Sequence, residues 1–559
     1  MNFKKMIAVM STIAVASSLF MGCGGGSSNS ASSGDTGKID SEQYLNDFLG
    51  AEPGTLDPSK CADSYGNGIL QDILEPLTRL EDDKDGKSIL KEAGAEKWES
   101  NKEGTVWTFK IRENKWSDGQ PVKAQDYEYG IKRSLSPNTG SPSAYLLEPI
   151  KNAVPVSEGK MKVDELGVKA VDDKTLEITL SEPTPYFLSL TYQSSMLPQR
   201  KDIVEKHGEK YGSEKDTLVF NGPFVLSEWT HNSKVVLTKN DSYWDKDSVK
   251  LQTINYPVMN DLNAIHNSLE NNSIDSAGVI TPEWRDRFAK NDKLENIKII
   301  NQRVNYAFYN HKDTIFKNTN IRQAFSLGMD REEIANTIFN GINEPAYGWV
   351  TRSITGDGEN EYRSIVPEPL KEIKEKNSDA KALLLKGMEE LNLGSDPSTL
   401  KVKFSLGGTD QWMRTFGEYL QQMYKKTLGV NLEIEFLEWP IFQSKVQKGD
   451  FQIGYMSWGA EFNDPISMLK LVTSDSTAIL SGWKNEKYDE LIKKASVEMD
   501  AQKRLELYKE AEKVLFDDAV LCPVVYTASN IFRYKYLKGV SDNPFSTAGS
   551  KHVYTQGRK

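Results

Sequence analysis

One apolar run, placed at the very start, decides what the rest of the chain can become. Lys4 and Lys5 precede an apolar stretch from Met6 to Met21, and Gly22-Cys23 then leads into Gly24-Gly25-Gly26 and a serine-rich segment reaching Gly37. Charged n-region, apolar core, small residue and cysteine, in that order, read as an export signal over residues 1–22. A buried first helix would have the same hydropathy, but the Gly/Ser linker directly behind this run is poorly suited to docking into a core. Past residue 22 no stretch approaches the roughly 18 consecutive apolar residues of a membrane-spanning helix. The expectation is a large body folded outside the cytoplasm, joined to its first residues by a flexible tether over 23–37.

The chain has 559 residues, enough for three or four compact units at roughly 100–200 residues each. Hydrophobic residues make up 38% and charged residues 27%, a globular balance. The net charge is −11, and more negative once Lys4 and Lys5 leave with the signal. A phosphate backbone needs a basic face, so nucleic acid is excluded as a partner.

Periodicity places the elements. Trp107, Phe109 and Ile111 alternate with Thr108, Lys110 and Arg112, which predicts a half-buried strand over 105–112. Asp118-Gly119 makes a turn, and from Ala124 the spacing of Tyr127, Ile131 and Leu135 predicts one apolar face of a helix. Thr175 to Leu180 alternates as another strand, ending before the breakers Pro183 and Pro185. A helix follows Asn320, a second opens at Asp330 with Glu333 three residues on, and Gly341 closes it. From residue 401 the order is strand (402–406), helix (411–428), strand (432–436) and strand (451–456), which predicts a parallel sheet covered on both faces. A charged helix over 501–516 leads into a buried strand over 520–526.

Catalytic and metal patterns are missing. The five histidines His207, His231, His266, His311 and His552 never lie within five residues of each other, which excludes HExxH and paired-histidine zinc sites. There is no GxSxG elbow and no phosphate-cradling loop. Glu81-x-Asp83-x-Asp85-Gly86 with Glu92 has the spacing of a calcium loop, but it starts on Glu and follows a strand-like segment, so a hairpin turn is the better reading. The reading is a non-enzyme without metal or cofactor. Cys61 and Cys522 are left; in an exported chain they can form a disulfide or remain two buried thiols.

Leu19-Phe20-Met21-Gly22-Cys23 resembles a bacterial lipobox, which implies lipidation (palmitate among the acyl groups) at Cys23 and an acyl anchor. Trp107-Thr-Phe-Lys-Ile-Arg-x-x-x-Lys115-Trp116-Ser117-Asp118-Gly119-x-Pro121-Val122-x-Ala124-x-Asp126 resembles the signature of family 5 extracytoplasmic solute-binding proteins, the oligopeptide- and dipeptide-binding receptors of ABC importers. Thr55-Leu56-Asp57-Pro58, Asn221-Gly222-Pro223-Phe224 with Tyr243-Trp244, Ile321-Arg322-Gln323-Ala324-Phe325 with Asp330-Arg331, and Trp458-Gly459-Ala460-Glu461-Phe462-Asn463-Asp464-Pro465 agree in order.

The resemblance implies an α/β, periplasmic-binding-protein-like bilobed clamp of type II. Lobe I would combine 38–74, 200–305 and 527–559, additional domain II would span 75–199, and lobe III 306–526, with hinge crossings near 305 and 527. A monomer would take an extended oligopeptide as an added strand along Ala62, Asp63 and Ser64 and along Ser457 to Gly459, for delivery to membrane ABC permease subunits. Glu461 would pair with the free α-amine, although relatives known for peptides commonly carry Asp there. Trp412, Trp439, Trp458, Tyr145, Tyr455 and Tyr526 would line the cleft. Cys61 and Cys522 would both lie near it, which adds slightly to the case for a disulfide and leaves two buried thiols as the other reading. Dipeptide or oligosaccharide cargo, or pheromone sensing, are the alternatives on the same fold. The lipid anchor and the Asn- and Lys-rich composition point to a Gram-positive surface.

Overall fold

Local chemistry accounts for the elements one by one. The computed structural model describes residues 38–84 and 86–558; the export signal, Cys23 and the tether lie outside them, as does Asp85. Strand β1 (Tyr44–Asn46) is followed by helix α1 (Ser64–Ile73), whose cap Asp63 accepts the Gly66 N–H at 2.7 Å. Strands β2 (Thr78–Asp82) and β3 (Ser88–Glu92) pair antiparallel across a turn in which Gly86 has φ +77°, a conformation that favours glycine. The calcium-like spacing is therefore that of a hairpin.

Strands β4 (Ala95–Ser100), β5 (Val106–Ile111), β6 (Val168–Asp172) and β7 (Thr175–Thr179) form an antiparallel sheet in the order β4-β5-β7-β6. Trp107, Phe109 and Ile111 are buried on β5, as the alternation predicts. Helix α2 (Ala124–Leu135) lays Tyr127, Ile131 and Leu135 on that sheet, and Asp126 fixes its start by accepting from Lys123 N and Trp116 Nε1. Strands β8 (Phe224–Thr230), β9 (Lys234–Lys239) and β10 (Thr253–Pro257) join β1 in a second four-stranded sheet.

The third sheet carries the site. It contains β11 (Ser276–Gly278), β12 (Leu294–Tyr309), the short β13 (Glu344–Pro345), β14 (Val402–Gly407), β15 (Leu432–Leu437), β16 (Ile453–Gly459) and β17 (Leu521–Tyr534). The order is β11-β17-β12-β16-β14-β15, with β13 beside β17. The parallel arrangement predicted for the strands after residue 401 is found, β14 running parallel to β15 and β16, while β12 joins the same sheet antiparallel to both β16 and β17. Periodicity reports which residues are buried, not the direction from which a strand such as β12 arrives. Both faces are nevertheless covered, Ala307, Tyr309 and Cys522 packing into one core and Val304, Tyr306 and Phe308 into another.

β12 and β17 pair in two stretches, 294–300 with 528–534 and 304–308 with 521–526, separated by register shifts. Those irregularities lie over residues 300–306 of β12 and 523–528 of β17. Beyond them, the ends flanked by β11 pack Leu294, Phe532 and Tyr534 into a separate small core with Leu269 and Phe288.

Helix α3 (Thr319–Leu327) is capped by Asn318 and buries Ile321, Ala324 and Phe325. Asp330 caps the next turn, whose wide continuation over Ile334–Ile338 ends before Gly341 with φ +70°. Helices α4 (Gln411–Thr427) and α5 (Trp439–Lys448) follow β14 and β15, and α6 (Ala501–Asp517) precedes β17. On α6, Glu512 is fully buried and takes the N–H groups of Trp349 and Val350 and the Arg363 guanidinium. That carboxylate anchors the 347–363 segment. Removing one partner of a buried pair leaves an uncompensated charge, so Glu512→Ala is expected to cost about 3–5 kcal/mol, measurable as a lower urea midpoint.

Candidate functional site

A cavity of about 340 Å³ opens where segments far apart in sequence converge. Its walls include Ala62, Tyr145, Gln193, Gln302, Glu461 and Thr547. Three of these, Ala62, Tyr145 and Glu461, are predicted site residues, and the structure brings them together. Gln193, Gln302 and Thr547 were not foreseen. They come from segments without motif or period, and only the tertiary fold places them.

Glu461 is held chiefly by its loop, with the Tyr145 hydroxyl donating to its carboxyl. Its N–H donates to Ser467 Oγ at 2.8 Å, and its carbonyl accepts from Gln193 Nε2 at 3.0 Å. Asn463 exchanges hydrogen bonds with the backbone and hydroxyl of Thr355, while Asp464 accepts from Tyr508 Oη at 2.7 Å. Trp349 Nε1 donates to Met468 O, which ties this loop to the segment anchored by Glu512. The Glu461 carboxyl is open to the cavity but hemmed in by protein atoms; this desolvation raises its pKa above the usual range, while Tyr145 and Arg303 oppose the rise. Among the described residues it has no ion-pair partner, so its charge is available to a cation.

The strand leading to Glu461 offers an edge. The Ala460 N–H donates to Gln302 O at 2.7 Å, and the register pairs Val304 with Trp458. Alternation along an antiparallel ladder then turns the N–H and C=O groups of Ser457 and Gly459 away from β12. On that outer side β14 pairs with β16 only as far as Leu406↔Tyr455, and among the described residues no strand covers Ser457 to Gly459. From Ser457 to Gly459 the uncovered edge is about 7 Å long at roughly 3.3 Å per residue, and the chain then turns to Glu461.

Aromatic groups flank this edge unevenly. Trp412 and Trp439 stand at the first turns of α4 and α5, at the carboxyl ends of β14 and β15, and are 42% and 44% exposed. Trp412 stacks on Phe416, which packs on Tyr455. Tyr455 is itself buried, and Trp458 is half-buried against the core. Tyr145 is 50% exposed.

Three expectations need correction. Tyr526 does not line the cavity: it is 0% exposed and donates to Glu368 at 2.9 Å from inside the core, because its position on β17 faces the 347–368 segment. Ala62 and Asp63 do not continue into an edge, since Ser64 already begins α1 and Asp63 serves as its cap. Cys61 and Cys522 are free buried thiols, not a disulfide. The Cys61 sulfur contacts Asp63 O, and its thiol is pushed up to about 12 by burial, whereas Cys522 lies against Met329 and Arg331 in the other core.

Among the described residues no group of three His, Cys, Asp or Glu side chains is arranged to hold a metal ion, and no helix is long and apolar enough to cross a membrane.

The model of bacterial extracellular solute-binding proteins, family 5, matches residues 90–478. The chain is 33% identical over 545 residues to the oligopeptide-binding protein OppA of Bacillus subtilis, covering 96% of this chain and 97% of the relative. It is also 33% identical to the dipeptide-binding protein DppE of the same organism, over 91% of each chain. The structure of Listeria monocytogenes OppA bound to peptide superposes with a TM-score of 0.74 at 31% identity, covering 93% of this chain and all of that one. The murein tripeptide binding protein MppA of Escherichia coli gives 0.76 at 28% identity, with 93% of this chain and all of that one covered. An α/β body, an uncovered strand edge and an unpaired carboxylate thus stand in a chain that belongs to the bacterial extracellular solute-binding proteins of family 5.

Proposed function

We propose that this protein captures extended oligopeptides outside the cytoplasmic membrane and delivers them to an ABC permease, with no chemistry of its own. One observation carries the reading: an unpaired, partly desolvated carboxylate, Glu461, stands at the end of an uncovered strand edge. A peptide added along Ser457 and Gly459 would form main-chain hydrogen bonds whatever its side chains, and its α-ammonium would reach Glu461. The relatives named for oligopeptide binding, and the peptide bound to the Listeria protein, support this cargo.

The body would act as a clamp. Lobe I (38–74, 200–305 and 527–559) and lobe III (306–526) would turn about the irregular pairing of β12 with β17, and domain II (75–199) would close over the ligand. Contacts across that closure include the stacked Tyr186 and Phe462 rings, 5.0 Å apart, and the Lys470–Glu148 ion pair. A monomer anchored through acylated Cys23 at a Gram-positive cell surface completes the proposal.

Calorimetry with a free tetrapeptide and its N-acetylated form tests the anchor. Acetylation, or Glu461→Gln with the free peptide, is expected to weaken binding roughly a hundredfold, about 3 kcal/mol. Equal affinity for both peptides would refute it.

The same carboxyl sets a pH dependence. It binds an ammonium only when ionised, and its pKa is raised by desolvation. Affinity is therefore full at neutral pH and falls with acidification, starting at higher pH than for an ordinary glutamate; in Glu461→Gln this fall should vanish. For the anchor, Cys23→Ser should move the protein from the detergent phase to the aqueous phase on detergent partitioning. Unchanged partitioning would contradict acylation.

A further inference from the structure

The strand pairing that exposes the ligand edge also places a cation on it. Arg303 lies directly opposite Gly459 in the β12–β16 ladder, so both point to the same face of the sheet. Its guanidinium reaches across that ladder to within 3.4 Å of where a β-carbon on Gly459 would stand. Glycine at 459 leaves the guanidinium lying over the strand whose backbone groups are free. Arg303 is exposed, and among the described residues it has no ion-pair partner, in a protein of net charge −11 where most arginines have one. Its field reaches Glu461, two residues further along. Asn305 and Ser457, the next opposed pair on that face, continue a polar row.

An isolated α-ammonium bound at Glu461 would feel this guanidinium as a repulsion unless the ligand brought an anion with it. Gly459 and Glu461 are two residues apart, about 7 Å in extended chain, which matches the reach from a peptide's α-amine to a carboxylate on its first or second residue. A guanidinium reads such a carboxylate through two parallel N–H donors. We propose that Arg303 is a second charged anchor of the cleft, and that the protein selects peptides carrying a carboxylate within two residues of the free amine. The proposal rests on the peptide reading and narrows it. The carboxylate can belong to an Asp or Glu side chain or to the C-terminus of a dipeptide, and the test separates the two.

Calorimetric titration of the full chain with Ala-Glu-Ala-Ala-amide and Ala-Gln-Ala-Ala-amide isolates the charge from the shape. The Glu peptide is expected to bind about tenfold more tightly, the ratio falling to near one in Arg303→Gln and surviving in part in Arg303→Lys. Ala-Ala against Ala-Ala-amide poses the same question for a terminal carboxylate; a preference in either pair, lost in Arg303→Gln, supports the proposal and identifies the source. Equal affinities within both pairs in the unmodified protein overturn it, as does a preference that persists in Arg303→Gln. Thermal melting of the variant guards against misfolding, and the comparison within the unmodified protein needs no variant. If N-acetylation still abolishes binding while the carboxylate pairs show no preference, only Arg303 loses its role; if acetylation also has no effect, the peptide reading itself fails.

Discussion

The antiparallel pairing of β12 with β17 is the constraint on which the remainder is arranged. Both strands run from the small core that contains Leu294, Phe532 and Tyr534 to the core that contains Ala307, Tyr309 and Cys522. The ladder shifts register between residues 300 and 306, and such irregularities bend a strand and increase its local twist. β12 also sets β16, and through it the edge at Ser457 and Gly459. One strand therefore fixes the orientation of the binding edge and carries the joint about which closure would occur.

Glu461 illustrates how a fold makes a carboxylate available. The surrounding acids are consumed: Asp464 by Tyr508 and its own helix start, Glu512 by Arg363 and two backbone N–H groups, Glu368 by Tyr526 and Lys371. Each holds a segment of the wall in place. Glu461, by contrast, is fixed mainly through its backbone, and its carboxyl, touched by the Tyr145 hydroxyl but in no ion pair among the described residues, faces the cavity partly desolvated. In the proposed reading, an ammonium arriving there would replace lost solvation with a charge-assisted contact, which lets a partly desolvated anchor discriminate among amines.

The sequence was most readable where burial is periodic. Trp107, Phe109 and Ile111 announce β5, and Tyr127, Ile131 and Leu135 announce α2, because the side chains themselves do the packing. Glu461 was found through a motif whose loop chemistry is local. The direction of β12 was not readable, since its partners at 453–459 and 521–534 can be recognised as strands but nothing local assigns them to β12. Tyr526 misled for a related reason: an aromatic residue near the cleft in sequence order points inward once β17 is seated beside β12. Cys61 and Cys522 look like a pair only until their cores are separated. Gln193, Gln302 and Arg303 gave no signal, because a polar side chain in an irregular or exposed position is the commonest thing a sequence contains.

A structure determined with a defined tetrapeptide bound bears most directly on the account. The peptide backbone should pair with the N–H and C=O groups of Ser457 and Gly459, with its ammonium against the Glu461 carboxylate. A peptide seated elsewhere, or one whose amine lies away from Glu461 while the edge at 457–459 remains unpaired, would contradict it.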